Sequence, residues 1–283
     1  MGLIERAPDS CILCNTRSRE LLIEIAPWKV FRCPVCKLGF LDPRPSPEGM
    51  EQLYEKDYFC QHFDGGLDPS SAEFKKRLSG ERHRVRFIRS LKGAGNVLDI
   101  GCGYGYFLAA CRNFGYEASG FDVSVWGSEY AQKKLGLAVK IGQVEDVVLT
   151  EENFDIITMW HFLEHTRNPH VVLERASSWL KNEGVLVIDV PNYEGTDARH
   201  NWERWDGWSL PYHLWHFTYG SLSKMLEHHG FRVIKYKDYH SDVIKKKLSP
   251  IPILKPLARL IAKMYSGTSI AVAAIRRNGG REP

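Results

Sequence analysis

Four cysteines near the start of the chain have the residue type and spacing of a metal site. They form two Cys-x-x-Cys pairs, Cys11 with Cys14 and Cys33 with Cys36. Each pair lets two thiolates converge on one tetrahedral ion, and the interval between the pairs is typical of a structural zinc site. Because four thiolates close the coordination sphere, we expect this zinc to be structural rather than catalytic. Two redox-active dithiols are a weaker alternative.

A glycine-rich turn, Gly101-x-Gly103-x-Gly105, follows an apolar run that starts at Asn96. Glycine has no Cβ, so the backbone can approach a ligand closely there. Asp99 stands just before the glycines and would repel a pyrophosphate, which disfavours a dinucleotide. A cofactor with a cationic ammonium and no phosphate is favoured, and S-adenosylmethionine is such a molecule. Asp122, about 20 residues further on, suits a carboxylate that accepts both ribose hydroxyls.

A third string, His161-Phe-Leu-Glu164-His165, has the spacing at which a zinc peptidase holds its ion. A peptidase site would need a helix long enough to place both histidines on one face. An apolar run ends at Trp160, and Asn168-Pro169 begins a new helix, which leaves about two turns at most. We therefore interpret the string as the turn after a strand. An ion held by His161, Glu164 and His165 is a lesser alternative and requires an irregular turn.

The elements that must position these residues alternate along the chain. The predicted strands are the run from Asn96, Glu117–Asp122, Leu137–Ile141, Phe154–Trp160, Val185–Val190, Phe231–Tyr236 and Ser269–Ile275. The predicted helices cover 48–58, 70–91, about 169–181 and 221–229. Alternating strands and helices predict an α/β fold, a doubly wound, Rossmann-like sheet of seven strands with ligands beyond the strands' carboxyl ends. Before it, Glu20–Ile25 and Trp28–Arg32 are predicted to form the hairpin of a zinc ribbon.

The domain organisation predicted from these elements has three parts. Residues 1–45 form the ribbon, 46–94 a helical connector that covers the cofactor site, and 95–283 the catalytic domain. Cys60, Cys102 and Cys111 lack ligand spacing and are predicted to be packed thiols.

These motifs together resemble the class I S-adenosylmethionine-dependent methyltransferases. The resembling residues are Val97 to Gly105, Asp122, Phe154-Asp155, Leu163-Glu-His165, Leu180 to Gly184 and Pro191-Asn192. The ribbon and the segment Pro211 to Thr218 are similar to a branch linked to cell-surface or antibiotic sugars, and the Leu-Glu-His turn is similar to that of quinone-biosynthesis O-methyltransferases. The resemblance implies a last strand that is antiparallel, Asp99 near the methionine end of the cofactor, Asp122 on the ribose, and Gln143 and Val144 near the adenine. Val123 and Trp160 are further candidates for cofactor binding. Lys37 is a departure, because such ribbons often carry glycine after the fourth cysteine.

A long insertion, 192–220, is the predicted substrate lid. It holds four of the chain's eight tryptophans, Trp202, Trp205, Trp208 and Trp215. This aromatic content argues against disorder and favours a pocket wall, although each tryptophan taken singly is expected in the lid's own small core. Methyl transfer to a hydroxyl needs a base, and histidine suits that role near neutral pH. The candidate bases are His161, His165, His213 and His216.

The segment 242–266 interrupts the last two strands. It is basic and amphipathic, with the predicted apolar face Leu257, Leu260, Ile261 and Met264. Such a helix can rest on an anionic membrane, here through residues 245–265, or pack on its own domain or on a dimer partner. The last two are the simpler alternatives.

Composition limits the class of protein. The chain has 283 residues, 43% hydrophobic and 25% charged, and a net charge of +4, too weak to indicate nucleic-acid binding. The sequence shows no signal peptide or membrane-spanning run, and its odd number of cysteines fits a reducing compartment, so a cytoplasmic protein, with peripheral contact at the inner membrane face as an option, is expected.

The predicted function is O-methylation of a sugar or other small hydroxylated metabolite, which in the cell is free or linked to a carrier or lipid. A sugar C-methyltransferase and a quinone-type O-methyltransferase assisted by a divalent ion are the alternatives within the family. A ribbon-bearing interaction protein that has lost activity is the alternative of a different class. The intact Asp99, glycines and Asp122 argue against it.

Overall fold

A computed structural model describes residues 3–53 and 66–277. The strands are β1 Ile4–Glu5, β2 Glu20–Ile25, β3 Trp28–Arg32, β4 Gly39–Leu41, β5 Arg44–Pro45, β6 Asn96–Ile100, β7 Glu117–Asp122, β8 Ala138–Ile141, β9 Phe154–Trp160, β10 Leu180–Pro191, β11 Trp215–His216, β12 Phe231–His240 and β13 Ser266–Arg276. The helices are α1 Pro47–Leu53, α2 Ala72–Gly80, α3 Arg82–Arg89, α4 Tyr106–Asn113, α5 Val125–Leu135, α6 Pro169–Trp179, α7 Thr196–Asn201, α8 Tyr219–His228, α9 Asp242–Leu248 and α10 Ala258–Ala262. No helix in these two ranges is both long and apolar enough to span a membrane.

A seven-stranded sheet organises the chain, in the order β12-β13-β10-β9-β6-β7-β8. The strand β6 pairs in parallel with β7 and β9, and β7 pairs in parallel with β8. The strands at its centre are buried on both faces, which is why β6 and β9 are nearly continuous apolar runs. The predicted α/β class and the seven-stranded sheet are confirmed.

Several predicted boundaries were wrong for identifiable local reasons. The single helix predicted over 70–91 is two helices, α2 and α3, which meet at the buried Glu81. The helix that begins at Pro169 ends at Trp179 rather than Lys181, because Leu180 is extended and begins β10. The helix predicted to start at Ser221 starts at Tyr219, because the Thr218 side chain caps it. The end of the helix predicted over 48–58, and Cys60, lie outside the described residues.

The ribbon forms its own small sheet, in the order β11-β4-β3-β2. The predicted hairpin of β2 and β3 is confirmed with its predicted ends. The fourth strand, β11, comes from the long insertion and pairs antiparallel with β4, which joins Trp215 to Phe40 and His216 to Gly39. The insertion is therefore built onto the ribbon sheet, a pairing that the sequence pattern did not indicate.

The chain divides into two compact units. Of the described residues, the ribbon unit comprises 3–49, 163–167 and 189–272, and the glycine-loop unit comprises 50–53, 66–162, 168–188 and 273–277. The first unit thus gathers the ribbon, the turn that carries Glu164 and His165, and the insertion. This grouping does not follow chain order, because the ribbon and the insertion share a sheet.

Candidate cofactor and metal sites

The glycine-rich turn between β6 and α4 has a backbone that only glycine adopts easily. Gly101 has φ +75° and Gly103 has φ +51°. A Cβ on Gly101 would lie 2.3 Å from the ring of Phe162, so no side chain fits there. At Gly103, no atom of the described residues would lie within 4 Å of a Cβ, so the peptide faces open space. The loop therefore presents bare backbone to a ligand at Gly103.

Asp99 lies beneath this loop with its side chain buried. Its Oδ1 accepts a hydrogen bond of 2.6 Å from the Thr158 hydroxyl on the neighbouring strand β9. Burial raises the pKa of Asp99 to about 7, although the Thr158 hydrogen bond and the Arg84 guanidinium act in the opposite direction. A cation that binds beside such a buried carboxyl group stabilises its ionised form and lowers its pKa. Sequence reasoning missed Thr158, although a hydroxyl inside an apolar strand was a usable signal.

Asp122 ends β7 and ties the glycine turn to that strand. Its Oδ2 accepts from the Gly103 amide and its Oδ1 accepts from the Ser124 amide, each at 2.8 Å. Burial raises its pKa despite these hydrogen bonds. The carboxylate thus lies at the carboxyl end of β7, next to the open peptide of Gly103, as a ligand for ribose hydroxyls would require.

The other predicted cofactor residues lie in the same unit. Val123 and Gln143 are exposed, whereas Val144 and Trp160 are buried. Trp160 packs edge to face on Phe107, and the Arg84 guanidinium lies over its indole ring. Val123 and Gln143 therefore present surface to a cofactor, while Trp160 is part of the packing at the end of β9. Their roles in binding stay predictions.

The four ribbon cysteines converge as predicted. The Sγ atoms of Cys11 and Cys36 are 3.4 Å apart, those of Cys14 and Cys33 are 3.3 Å apart, and all four lie within 4.8 Å of one another. Four thiolates around one zinc ion at about 2.3 Å would stand at separations of this order. The set therefore fits a closed, tetrahedral metal site.

The two knuckles of the ribbon share one backbone conformation. Asn15 and Lys37, which follow the second cysteine of each pair, have φ +57° and +61°. The Asn15 amide donates to the Cys11 carbonyl, and the Lys37 amide donates to the Cys33 carbonyl. The left-handed turn is thus kept at Lys37, at the steric cost of a side chain in that region.

A second group of ligand-type side chains lies in the ribbon unit. One ligand atom from each of Glu164, His165 and His213 lies within 4.8 Å of the others. The Glu164 carbonyl accepts from the Leu214 amide at 2.8 Å, which joins the turn to the insertion. The two imidazole rings meet edge to face, with centroids 4.6 Å apart. The cluster contains His213 in place of His161, which the lesser alternative drawn from the sequence had as the third ligand.

Backbone carbonyls orient both imidazoles of this cluster. His165 Nδ1 lies 3.1 Å from the Tyr212 carbonyl oxygen, and His213 Nδ1 lies 2.9 Å from that of Gly207. A carbonyl oxygen can only accept, so each contact places a proton on Nδ1, and in the neutral imidazole Nε2 then carries the lone pair. Histidine ligands of metals are commonly held in this way. The cluster therefore has the donor set of a divalent cation site, and backbone carbonyls orient both of its imidazoles.

The remaining histidine candidates occupy different surroundings. His216 lies in β11, buried in the ribbon sheet against Trp208, and burial lowers its pKa well below the usual value. His161 belongs to the glycine-loop unit and has φ +55°. That left-handed residue stops any helix, and Leu163–His165 is a single 3-10 turn. The interpretation of the string as a turn is confirmed, and the peptidase geometry is excluded.

The tryptophans of the insertion form a core of their own. Trp202 and Trp205 each pack edge to face on Trp208, at 5.4 Å and 5.1 Å between ring centroids. The Trp208 indole N–H donates to the Trp202 carbonyl, and that of Trp215 donates to the Thr166 carbonyl. The expectation for single tryptophans is confirmed. A role of the insertion as a pocket wall stays a prediction.

Comparisons with known proteins agree with this architecture. A family model described as a methyltransferase domain matches residues 72–236, more than half of the chain. The ubiquinone biosynthesis O-methyltransferase of Actinobacillus pleuropneumoniae serotype 5b (strain L20) is 33% identical over 106 residues, which cover 34% of this chain and 45% of that one. The protein of the same name from Coxiella burnetii (strain Dugway 5J108-111) is 29% identical over 117 residues, 38% of this chain and 50% of that one. The chain thus matches about half the length of these relatives.

Solved structures show the same fold. A SAM-dependent methyltransferase from Archaeoglobus fulgidus superposes with a TM-score of 0.54 and 22% identity, over 70% of this chain and 93% of that one. The 1,6-didemethyltoxoflavin-N1-methyltransferase of Burkholderia thailandensis, solved with S-adenosylhomocysteine, superposes with a TM-score of 0.55 and 16% identity, over 92% of this chain and 100% of that one. At these identities the likeness concerns the fold alone. Because the family model covers more than half of the chain, the chain belongs to the methyltransferase-domain family that this model describes.

Proposed function

We propose that the protein transfers a methyl group from S-adenosylmethionine to a hydroxyl of a small metabolite, with Glu164, His165 and His213 holding a divalent ion that assists. The observation that carries the O-methyl form of the proposal is the cluster of these three side chains. The relatives named ubiquinone biosynthesis O-methyltransferase support oxygen, rather than carbon, as the methylated atom. Sugars and hydroxylated aromatic rings are both acceptors of the required kind.

The residues of the glycine loop fit the cofactor. Asp99 is buried, so a nearby cation would stabilise its ionised form. Asp122 lies beside the open backbone at Gly103. S-adenosylmethionine, which carries an ammonium group, ribose hydroxyls and no phosphate, supplies an activated methyl group when bound. The work left to the protein is to align the acceptor and remove its proton.

The two histidines of the cluster also fit proton transfer. Each is held in the Nδ1-protonated form by a backbone carbonyl, so each presents Nε2 as the basic atom. A divalent cation at this cluster would lower the pKa of an acceptor hydroxyl, so that the proton leaves near neutral pH. The proposal requires the acceptor to reach the cluster during the reaction.

The ribbon completes the proposal as a structural element. We propose that Cys11, Cys14, Cys33 and Cys36 hold one Zn²⁺, because four thiolates leave no position for a substrate. The ribbon sheet carries β11, and Leu41 in β4 donates its amide to the Leu214 carbonyl. Loss of this zinc is therefore expected to disturb the insertion that carries His213.

The first test is calorimetry with S-adenosylmethionine, in which no binding would refute methyl transfer altogether. The second compares wild type and His213→Ala, with excess Mn²⁺, Mg²⁺ or Zn²⁺ after chelation, on a panel of sugars and dihydroxyaromatic acceptors. His213→Ala is expected to lose activity at least 100-fold, as ligand or base, while it keeps cofactor binding. His200→Ala is the matched control, because His200 is an exposed histidine of the same insertion. Activity that survives chelation would remove the ion from the proposal and leave the histidines as the base.

A further inference from the structure

The segment between β12 and β13 buries small side chains and exposes large apolar ones, the reverse of what a helix packed on its own domain shows. It consists of residues 242–266, called here the basic hairpin, with α9 and α10 as its helices. The alanines of α10, Ala258 and Ala262, are 2% and 0% exposed. The large apolar side chains Leu260 and Met264 are 64% and 82% exposed instead. An amphipathic helix that packs only on its own domain buries its large apolar residues. The exposed side chains of Leu260 and Met264 therefore indicate a surface that contacts something outside the chain.

Further apolar side chains extend this surface through the turn that joins the two helices. Ile253 is 84% exposed, and Ile251 and Leu257 are 44% and 47% exposed. Isolated exposed apolar residues are ordinary, but six in one short segment, with Tyr265 as the sixth beside Met264, are not. Of the predicted apolar face, Leu257, Leu260 and Met264 are exposed, and Ile261 is half-buried.

The charge of the basic hairpin indicates what chemistry would cover that face. It carries six cationic side chains and one acid, Asp242, a net charge of +5, against +4 for the whole chain, so the other residues together carry −1. The cations are Lys245, Lys246, Lys247, Lys255, Arg259 and Lys263. Asp242 lies 3.9 Å from Lys245, at the start of α9. The positive charge of this protein is therefore concentrated where its apolar side chains are most exposed.

The base of the hairpin is held firmly. The buried Asp197 carboxylate accepts from the Ser241 hydroxyl and from the amides of Asp242 and Val243. The Ser241 amide donates to the carbonyls of Ala262 and Tyr265, which closes the loop. Because these bonds fix both ends, the exposed apolar side chains are presented by an ordered element and not by a frayed end.

We propose that the basic hairpin docks on the surface of an anionic lipid bilayer. Lysine and arginine are attracted to acidic headgroups, while isoleucine, leucine and methionine enter the boundary between headgroups and acyl chains. A second copy of the chain would bring two faces of charge +5 together, which opposes self-association through this face. Nucleic acid would not use the exposed aliphatic side chains, because its outer surface is phosphate and sugar. An anionic bilayer can contact both the cationic and the exposed apolar side chains of the hairpin at the same time.

The test is co-sedimentation of the full chain with vesicles of phosphatidylcholine alone and with vesicles that contain about a third phosphatidylglycerol. Wild type is expected to bind the anionic vesicles at least 10-fold more tightly, and the difference should shrink as salt is raised. Lys246→Gln/Lys247→Gln and, separately, Leu260→Gln/Met264→Gln are each expected to weaken binding about 10-fold or more. Leu260→Phe should retain it. All four positions are exposed or form the apolar face, so the variants are expected to fold.

Two control variants match these changes outside the hairpin. Lys75→Gln/Lys76→Gln removes the same charge from exposed positions of α2, and Val148→Gln removes an apolar side chain that is 81% exposed. Both are expected to bind anionic vesicles as wild type does. Equal binding to the two kinds of vesicle, equal losses in the control variants, or self-association that disappears in Leu260→Gln/Met264→Gln would each overturn the proposal. So would binding to a polyanion such as RNA with no binding to vesicles.

Discussion

Asp99 is a buried acid whose charge costs stability, and substituting it with asparagine tests that cost. The pKa of Asp99 is about 7 in the folded protein, against an ordinary value of 3.8. Between these values the native state binds the proton that the unfolded state has lost, so stability falls as pH rises and reaches its full loss above pH 7. From pH 5 to pH 8 this one group is expected to remove about 2.5 kcal/mol from the free energy of unfolding.

Asp99→Asn keeps the shape of the side chain and removes its titration. The amide oxygen can still accept from the Thr158 hydroxyl. At pH 5 the variant should already be somewhat more stable than the wild type, because the unfolded wild type has lost the proton that Asp99 keeps in the folded protein. This difference in the free energy of unfolding should be about 2.5 kcal/mol larger at pH 8 than at pH 5. The assay is urea unfolding of both zinc-loaded proteins, without cofactor, at pH 5, 6, 7 and 8.

The control for this experiment is Asp155→Asn, whose pH dependence has the opposite sign. Burial acts to raise the pKa of Asp155, but Lys181, the Asn96 amide and Lys92 hold it below the ordinary value. Its stabilisation is present above the unfolded pKa and lost as pH falls through the folded one, so the Asp155→Asn penalty should be constant from pH 5 to pH 8. A difference between Asp99→Asn and wild type that does not change over this range would refute the assignment of a raised pKa. At pH 7, S-adenosylmethionine binding should release protons in the wild type and fewer in Asp99→Asn.

Three further predictions concern packing and metal. Cys14→Ser should lower the bound zinc by about one ion per chain, measured by metal analysis. Cys111→Ser, which changes a buried thiol of the glycine-loop unit, should keep that zinc. Trp208→Ala removes a side chain that is 2% exposed and should lower the free energy of unfolding by about 3–5 kcal/mol, measured in urea; a loss below about 1 kcal/mol would contradict a tryptophan core. Gly101→Ala, with φ +75° and a contact of 2.3 Å to Phe162, should reduce both stability and cofactor affinity in calorimetry. Gly115→Ala, with φ +85° and no described atom within 4 Å, carries the backbone strain alone and should leave cofactor affinity unchanged.

The sequence alone predicted those features that depend on a few consecutive residues. The cysteine spacing predicted a cluster that the structure confirms, and β2, β3, β7 and β9 begin and end at the predicted residues. Strand periodicity, glycine spacing and N-capping are properties of a few consecutive residues, which is why they can be read without the fold. The same limit explains the wrong helix ends, which depend on the buried Glu81 and on the extended Leu180.

Contacts between distant segments were decided by the tertiary structure. His165 and His213 come together because the insertion pairs with the ribbon strand β4 and its Leu214 amide donates to Glu164, neither of which any local pattern encodes. The composition of the basic hairpin showed that it is amphipathic, but only the packed structure showed that Ala258 and Ala262 are inside while Leu260 and Met264 are outside. The chain's sequence thus specified most of its elements and its glycine-rich loop. Which candidate metal ligands come together, and which apolar side chains stay at the surface, depended on how those elements pack, because packing brings together residues that are far apart in the chain.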